Sequence, residues 1–203
     1  MAGIRTIHRC QTFASPREAR RWLRDIYRRD RTEGQEYSIY LGVEKAGIVE
    51  QLRAWFGDLG VPILALGGYS SQSYVDEIVG DVDAQGRPAV LIYAGDFDPS
   101  GEDIDRDFLE RTGRFDEVVR VALTAQQVEE YNLPEQVGKT TDTRAARFIE
   151  RHGRLVQVEL DALPPEQLQQ LYQDALAVYW DDDAYAEVMA REARETRQLG
   201  GRA

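Results

Sequence analysis

The chain has 203 residues, 42% of them apolar and 30% charged, with a net charge of −11. This fits one soluble domain with extensions, or at most a domain and a half, and is long enough to bury a proper core. No apolar run approaches a membrane span, the first residues lack the apolar stretch of a secretory signal, and one cysteine (Cys10) with two histidines (His8, His152) excludes an internal disulfide and disfavours a Cys/His zinc site. A cytoplasmic location with no membrane partner is expected, and any metal should be a hard cation held by carboxylates.

The acidic balance argues against a protein that coats nucleic acid non-specifically. The charge is uneven, however. Residues 1–33 hold nine arginines and four acids, or +5, which leaves −16 for the remainder. Ser15-Pro16-Arg17-Glu18 is a helix start: Ser15 can cap, Pro16 suits the first helical position, and Glu18 can close a capping box. Ala19, Trp22, Leu23 and Ile26 then share one face. Arg17, Arg20, Arg21, Arg24 and Arg28 share the other, so the spacing predicts one helix over 16–29, packed through its apolar face. Its arginine stripe, Arg17, Arg21, Arg24 and Arg28, is either a solvated face or a weak anion-binding surface.

After a polar break at 30–35 the pattern changes to alternating strands and helices. Strands are expected at Tyr37–Val43, Val61–Leu66, Ala89–Tyr93 and Val118–Leu123. The third is apolar throughout, as befits a strand covered on both faces. Helices are expected between them, and Thr124-Ala125-Gln126-Gln127 is a second capping-box pattern. Four strand–helix alternations with short connections predict βαβ units and a parallel sheet of at least four strands flanked by helices. Beyond Asn132-Leu133-Pro134, a polar loop at 138–144 leads into a helix, Leu155–Leu160 reads as a last strand, and Pro164-Pro165-Glu166 opens another helix. Three parts result: a basic helical arm (1–36), an α/β domain (37–180) and a charged C-terminal helix (181–203).

In a parallel sheet, sites form beyond the carboxyl ends of the strands. Glu44 ends the first strand, and Asp96 and Asp98 follow the third. Residues two apart in an extended segment point the same way, so Asp96 and Asp98 converge. Their repulsion makes sense if a divalent cation neutralises it. By itself, Asp98-Pro99 also suits a helix N-cap. Glu159 and Asp161, at the end of the last strand, are a candidate second cation position, or a surface charge and cap. Lys139, Thr143 and Arg144 are candidate phosphate ligands, or a helix start capped by Asp142; the turn Gly68-Tyr69-Ser70-Ser71, beyond the second strand, either lines the same rim or is a plain capping turn. Gly138-Lys139-Thr140 lacks the spaced upstream glycine of a P-loop.

Val43-Glu44-Lys45-Ala46-Gly47 after the first strand, with Gly95-Asp96-Phe97-Asp98-Pro99-Ser100-Gly101 after the third, resembles the Toprim domain of topoisomerases, bacterial primases, OLD-type nucleases and small ribonucleases. The Asp-x-Asp-Pro-x-Gly form is most similar to the A subunit of topoisomerase VI and its meiotic double-strand-break relatives. The resemblance covers residues 37–125, and more loosely the chain to 178. It implies a Rossmann-like Toprim sheet. Glu44 would be the general acid or base, and Asp96 and Asp98 with Glu44 the Mg²⁺ (or Mn²⁺) site; Gly101 would be the turn glycine. The topoisomerase subunit carries its nucleophilic tyrosine in an upstream winged-helix domain. Here 36 residues precede the first strand, with one tyrosine, Tyr27, so complete topoisomerase action by this chain alone is not expected, whereas a metal-activated water needs no tyrosine. The resemblance therefore implies Mg²⁺-dependent phosphodiester cleavage by a nuclease or topoisomerase-like module acting on nucleic acid, DNA foremost. A partner protein would supply the DNA binding that the acidic body disfavours. The alternative is a non-catalytic Toprim-derived binding module in a larger DNA-processing assembly; primase-like synthesis is a weaker third.

Overall fold

The computed structural model describes residues 11–67, 71–138 and 143–200. Helix α1 (Pro16–Ile26) precedes an alternating core of β1 (Ser38–Val43), α2 (Ala46–Phe56), β2 (Ile63–Ala65), α3 (Gln72–Gln85), β3 (Ala89–Ala94), α4 (Gly101–Thr112), β4 (Glu117–Ala122) and α5 (Ala125–Glu130). There follow β5 (Gln136–Val137), α6 (Ala145–His152), β6 (Val156–Gln157), α7 (Pro165–Tyr179) and α8 (Asp182–Gly200). Strands β1 to β4 pair all-parallel in the order β2-β1-β3-β4.

Strand alternation distributes the core. Ile39, Leu41 and Val43 of β1, with Val90, Ile92 and Ala94 of β3, pack on Ile48, Leu52 and Phe56 of α2 and on Leu168, Tyr172 and Leu176 of α7. Their neighbours Tyr40, Leu91 and Tyr93 pack instead on Val75, Ile78 and Val82 of α3 and on Ile104 and Phe108 of α4. Side chains of successive strand residues point to opposite faces, so helices cover both sides of the sheet. This is the expected α/β architecture. Every residue of β1 and β3 is buried, because each lies between two strands and two helix layers.

The strand order also decides where a site can form. From β1 the chain moves outward to β2, then crosses back past β1 to begin β3 on its other side. Connections thus leave the neighbouring strands β1 and β3 in opposite directions. The crevice beyond their carboxyl ends is the topological switch point of the sheet.

Two expectations are corrected. The last strand is not Leu155–Leu160: only Val156–Gln157 forms β6, antiparallel to β5. Val158 leaves that pairing to exchange backbone hydrogen bonds with Phe97, at 2.8 and 3.0 Å. A 3₁₀ turn at Leu160–Ala162 follows. The arm helix is shorter than 16–29, and its apolar face is only half-covered where it lies beside α8. Trp22, Leu23 and Ile26 are 39%, 48% and 50% exposed, and the side chain of Ser15 caps α1 by accepting from the Glu18 amide. Helix α1 itself runs alongside α8, and charge beyond its end adds to this. Arg29 pairs with Glu195 at 2.8 Å, and Arg31 pairs with the buried Glu192 at 2.9 Å, both on α8. Among the described residues, no helix is long and apolar enough to cross a membrane.

Candidate functional site

Glu44 is the first residue after β1, and its amide donates to the carbonyl of Ala94 at the end of β3. Register therefore sets it beside the loop that carries Asp96 and Asp98. Its carboxylate accepts from the Asp96 amide at 2.8 Å. The floor of this corner needs glycines. A side chain at Gly101 would collide with the carbonyl of Asp96, and one at Gly67 with the carbonyl of Glu44. Asp98 accepts from the Gly101 amide at 2.6 Å, which pins the turn from β3 into α4. That bond is the capping role open to Asp98 from sequence, and it leaves the second carboxylate oxygen for other work.

Asp96 is 7% exposed. Its Oδ1 accepts from the Leu160 amide at 2.8 Å and lies 3.6 Å from the Lys45 ammonium. The Leu160 amide is available only because Val158 is stitched to Phe97, so the 158–161 segment is folded onto the rim. The same stitch delivers Glu159 and Asp161, which accept from Lys45 Nζ at 2.9 and 3.3 Å. Lys45 thus stands at the centre of three carboxylates.

Burial pushes the carboxyl of Glu44 above the usual carboxylate range, and the charges of Asp96 and Asp98 push it further, against the opposing Asp96 amide and Arg120. Burial likewise raises Asp96, and Asp98 and Glu159 add to the rise, while the Leu160 amide and Lys45 oppose it. Burial works against the charge of Lys45, but Glu159, Asp96 and Asp161 together hold its ammonium above the ordinary lysine value. The corner therefore carries more negative charge than it comfortably ionises, and the built-in cations Lys45 and Arg120 offset only part of it.

The structure brings Glu44, Asp96 and Asp98 to one rim, with Glu159 and Asp161 on its flank. Thr143 is exposed and Arg144 half-buried at the start of α6, on the side of α4 rather than in the acidic corner. Lys139 and Gly68-Tyr69-Ser70 lie outside the described residues. Arg17 and Arg21 are exposed on α1, Arg24 pairs with Asp25, and Arg28, past the helix end, donates to the carbonyls of Asp25 and Tyr27.

Sequence reasoning missed two residues. Lys45 was within the motif but carried no role, since nothing local shows that residues 159 and 161 return to it. Arg120 was readable in principle, as an arginine inside the apolar run 118–123. Its guanidinium donates to the carbonyl of Asp96 at 2.7 Å and to those of Gly95, Gly101 and Leu123 at 3.1–3.3 Å, and it lies over the Tyr93 ring. It buttresses the loop that carries the acids.

Three nearby carboxylates with hard oxygen donors, two of them unfavourably charged, fit a hard divalent cation in their chemistry. Among the described residues, however, no three acidic, histidine or cysteine side chains stand close enough together to hold an ion as they are arranged. Compared with protein-family models and with curated proteins, the chain matches none.

Proposed function

We propose that this chain is a Toprim-type module for Mg²⁺-dependent cleavage of a nucleic-acid phosphodiester, with DNA as the substrate to test first. The observation that carries this is the meeting of Glu44 and Asp96 at the switch point, joined by the 2.8 Å bond from the Asp96 amide to the Glu44 carboxylate. Asp96 and Asp98, with Glu44 beside them, would hold the cation. When bound, such an ion polarises a phosphoryl oxygen and stabilises the charge that develops there. Glu44 is the proton-handling group. Its raised pKa brings a carboxyl closer to the working pH of a general acid or base. The Asp96 amide fixes one oxygen of Glu44 and leaves the other to face a reacting group. Arg120, through the carbonyls of Gly95, Asp96 and Gly101, holds the loop against the repulsion of its own acids. Lys45 already occupies the space between Glu159 and Asp161, which supports a single cation position rather than two.

A second reading, a non-catalytic Toprim-derived module within a DNA-processing assembly, is favoured by one observation: the ammonium of Lys45, not a free space, faces Asp96. A cleavage assay separates the two. Labelled single- and double-stranded DNA are incubated with protein in Mg²⁺, Mn²⁺ or EDTA. Metal-dependent cleavage is expected, with Glu44→Gln costing roughly 10²–10⁴-fold in rate while Mg²⁺ binding survives. A protein that binds no Mg²⁺ refutes the catalytic proposal. One that binds Mg²⁺ and cleaves nothing, alone or with a partner subunit, is the non-catalytic module.

A further inference from the structure

Helix α1 has two unlike faces, and they meet different surroundings. Ala19, Trp22 and Ile26 share the apolar side. Ala19 is half-buried and Trp22 is the least exposed of the three large apolar residues, so this is the side that lies beside α8. On the opposite side Arg17, Arg20, Arg21 and Arg24 are all exposed. At about 1.5 Å a residue they form a line about 10 Å long. Arg24 pairs with Asp25, whereas Arg17, Arg20 and Arg21 meet no carboxylate among the described residues. The acids about the base of the arm are already taken: Glu33 by Arg29 and Arg191, Glu195 by Arg29, and Glu192 by Arg31. Over residues 16–28, five arginines stand against Glu18 and Asp25, an excess of three positive charges in a chain whose net charge is −11.

We propose that this arginine face of α1 holds the phosphate backbone of the nucleic-acid substrate; the inference rests on the phosphodiester function above and names a binding surface for it. The two faces decide the partner. A protein interface needs a centre depleted of charge, and a helix on a membrane buries its apolar side in the lipid. Here the apolar side turns to α8, and the outward side is charged along its length. A polyanion is the partner that such a face fits. A line of about 10 Å matches about three phosphates of one strand, and each guanidinium presents a fork of donors to phosphate oxygens. Screening at physiological salt acts over about 8 Å, so acids on distant faces do not cancel the stripe. The base of the arm is fixed at the amino-terminal edge of the sheet. There Arg31 donates to the carbonyl of Asp58 after α2, and Arg87, just before β3, donates to that of Thr32. The acidic corner lies beyond the opposite edge, past the six residues of β1, or about 20 Å. The arm therefore grips the backbone away from the bond that is cut.

The test measures binding without turnover. Full-length protein in EDTA is titrated into a fluorescein-labelled DNA duplex, and anisotropy is followed from low to moderate salt. Arg17→Gln/Arg20→Gln/Arg21→Gln should weaken binding about tenfold or more and flatten the log-log salt slope by about 2.7, near 0.9 for each phosphate that is no longer neutralised. Helix α1 holds no buried residue, and glutamine is about as good a helix former as arginine, so core and helix both survive the change. Arg17→Lys/Arg20→Lys/Arg21→Lys keeps the charge and should restore most of the slope. Arg53→Gln/Arg114→Gln/Arg154→Gln removes the same charge outside the arm and should match wild type. Equal loss in that control, or a lysine variant as weak as the glutamine one, overturns the assignment. So does a wild-type protein that binds no duplex, or competition by polyglutamate as strong as by unlabelled duplex, which would make the partner an acidic protein. Arm-dependent binding to phosphatidylserine vesicles with none to DNA would overturn it in favour of a membrane. Because EDTA suppresses cleavage, an arm variant that binds normally condemns the arm alone. A protein that binds through the arm but never cleaves with Mg²⁺ condemns the catalytic proposal alone.

Discussion

Replacing Asp96 by Asn removes one charge from a buried corner with almost no change in volume. The Leu160 amide still finds an oxygen, since Asn Oδ1 can accept the bond that Asp96 accepts at 2.8 Å, so the rim stays folded. On the proposed function, Mg²⁺ binds the native corner and stabilises it by mass action. At a free concentration a hundred times Kd this is about 2.7 kcal/mol. For a chain of this size each kcal/mol moves Tm by about 2–4 °C, so wild type should gain about 5–11 °C. Asp96→Asn should lose that gain. Its metal-free form should also be more stable than wild type at neutral pH. The sign follows from the raised carboxyl of Asp96: the folded corner binds a proton more tightly than the unfolded chain, so its contribution is fullest below the ordinary aspartate pKa and is lost as pH rises through the folded value. An amide carries no such penalty, and the advantage of the variant should shrink on acidification, as Asp96 itself becomes neutral. Thermal melts with and without Mg²⁺, at neutral and acidic pH, read all of this. A variant with the same Mg²⁺ response as wild type would refute the assignment of Asp96.

Lys45→Met should cost about 1 kcal/mol in EDTA, discounted because Glu159 and Asp161 are half-exposed, and should enlarge the stabilisation by Mg²⁺, because ammonium and cation compete for Asp96; an unchanged Mg²⁺ response in melting would separate the two. Gly101→Ala should cost about 1–3 kcal/mol, since its methyl meets the Asp96 carbonyl, and denaturant melts with cleavage assays should show stability and activity falling together. The Arg31 guanidinium and the backbone amide of Arg29 hold Glu192 below the usual carboxylate range, against the effect of its burial. That stabilisation is present above the unfolded glutamate value of about 4.3 and is lost as pH falls through the lower folded value. The protection factors of the α8 amides, corrected for the slower intrinsic exchange in acid, should therefore fall on acidification, and Glu192→Gln should produce the same loosening at neutral pH, about 2 kcal/mol; an α8 equally protected in that variant would show the clasp to be passive.

Local pattern alone determined the alternation of strands and helices, the parallel sheet, and the placement of Glu44, Asp96 and Asp98 at strand ends. Those features are written in periods of two and 3.6 residues and in turn residues such as Pro99 and Gly101, which act over a few positions. The capping box at Thr124 formed for the same reason, with the side chain and backbone of Gln127 completing it. Tertiary structure decided what the charges do. Leu155–Leu160 has the composition of a strand, yet Val158 pairs with Phe97 some sixty residues away, and only that pairing brings Glu159 and Asp161 to Lys45. The arm shows an ideal apolar stripe, but how far it is covered depends on which surface the rest of the chain offers; α1 lies beside α8, where Arg29 and Arg31 find Glu195 and Glu192, and the stripe is left about half-exposed. Nor does any spacing rule bring Glu44 to the Asp96 amide, because the order of strands in the sheet, with β3 beside β1, and not their order in the chain, sets which side chains become neighbours.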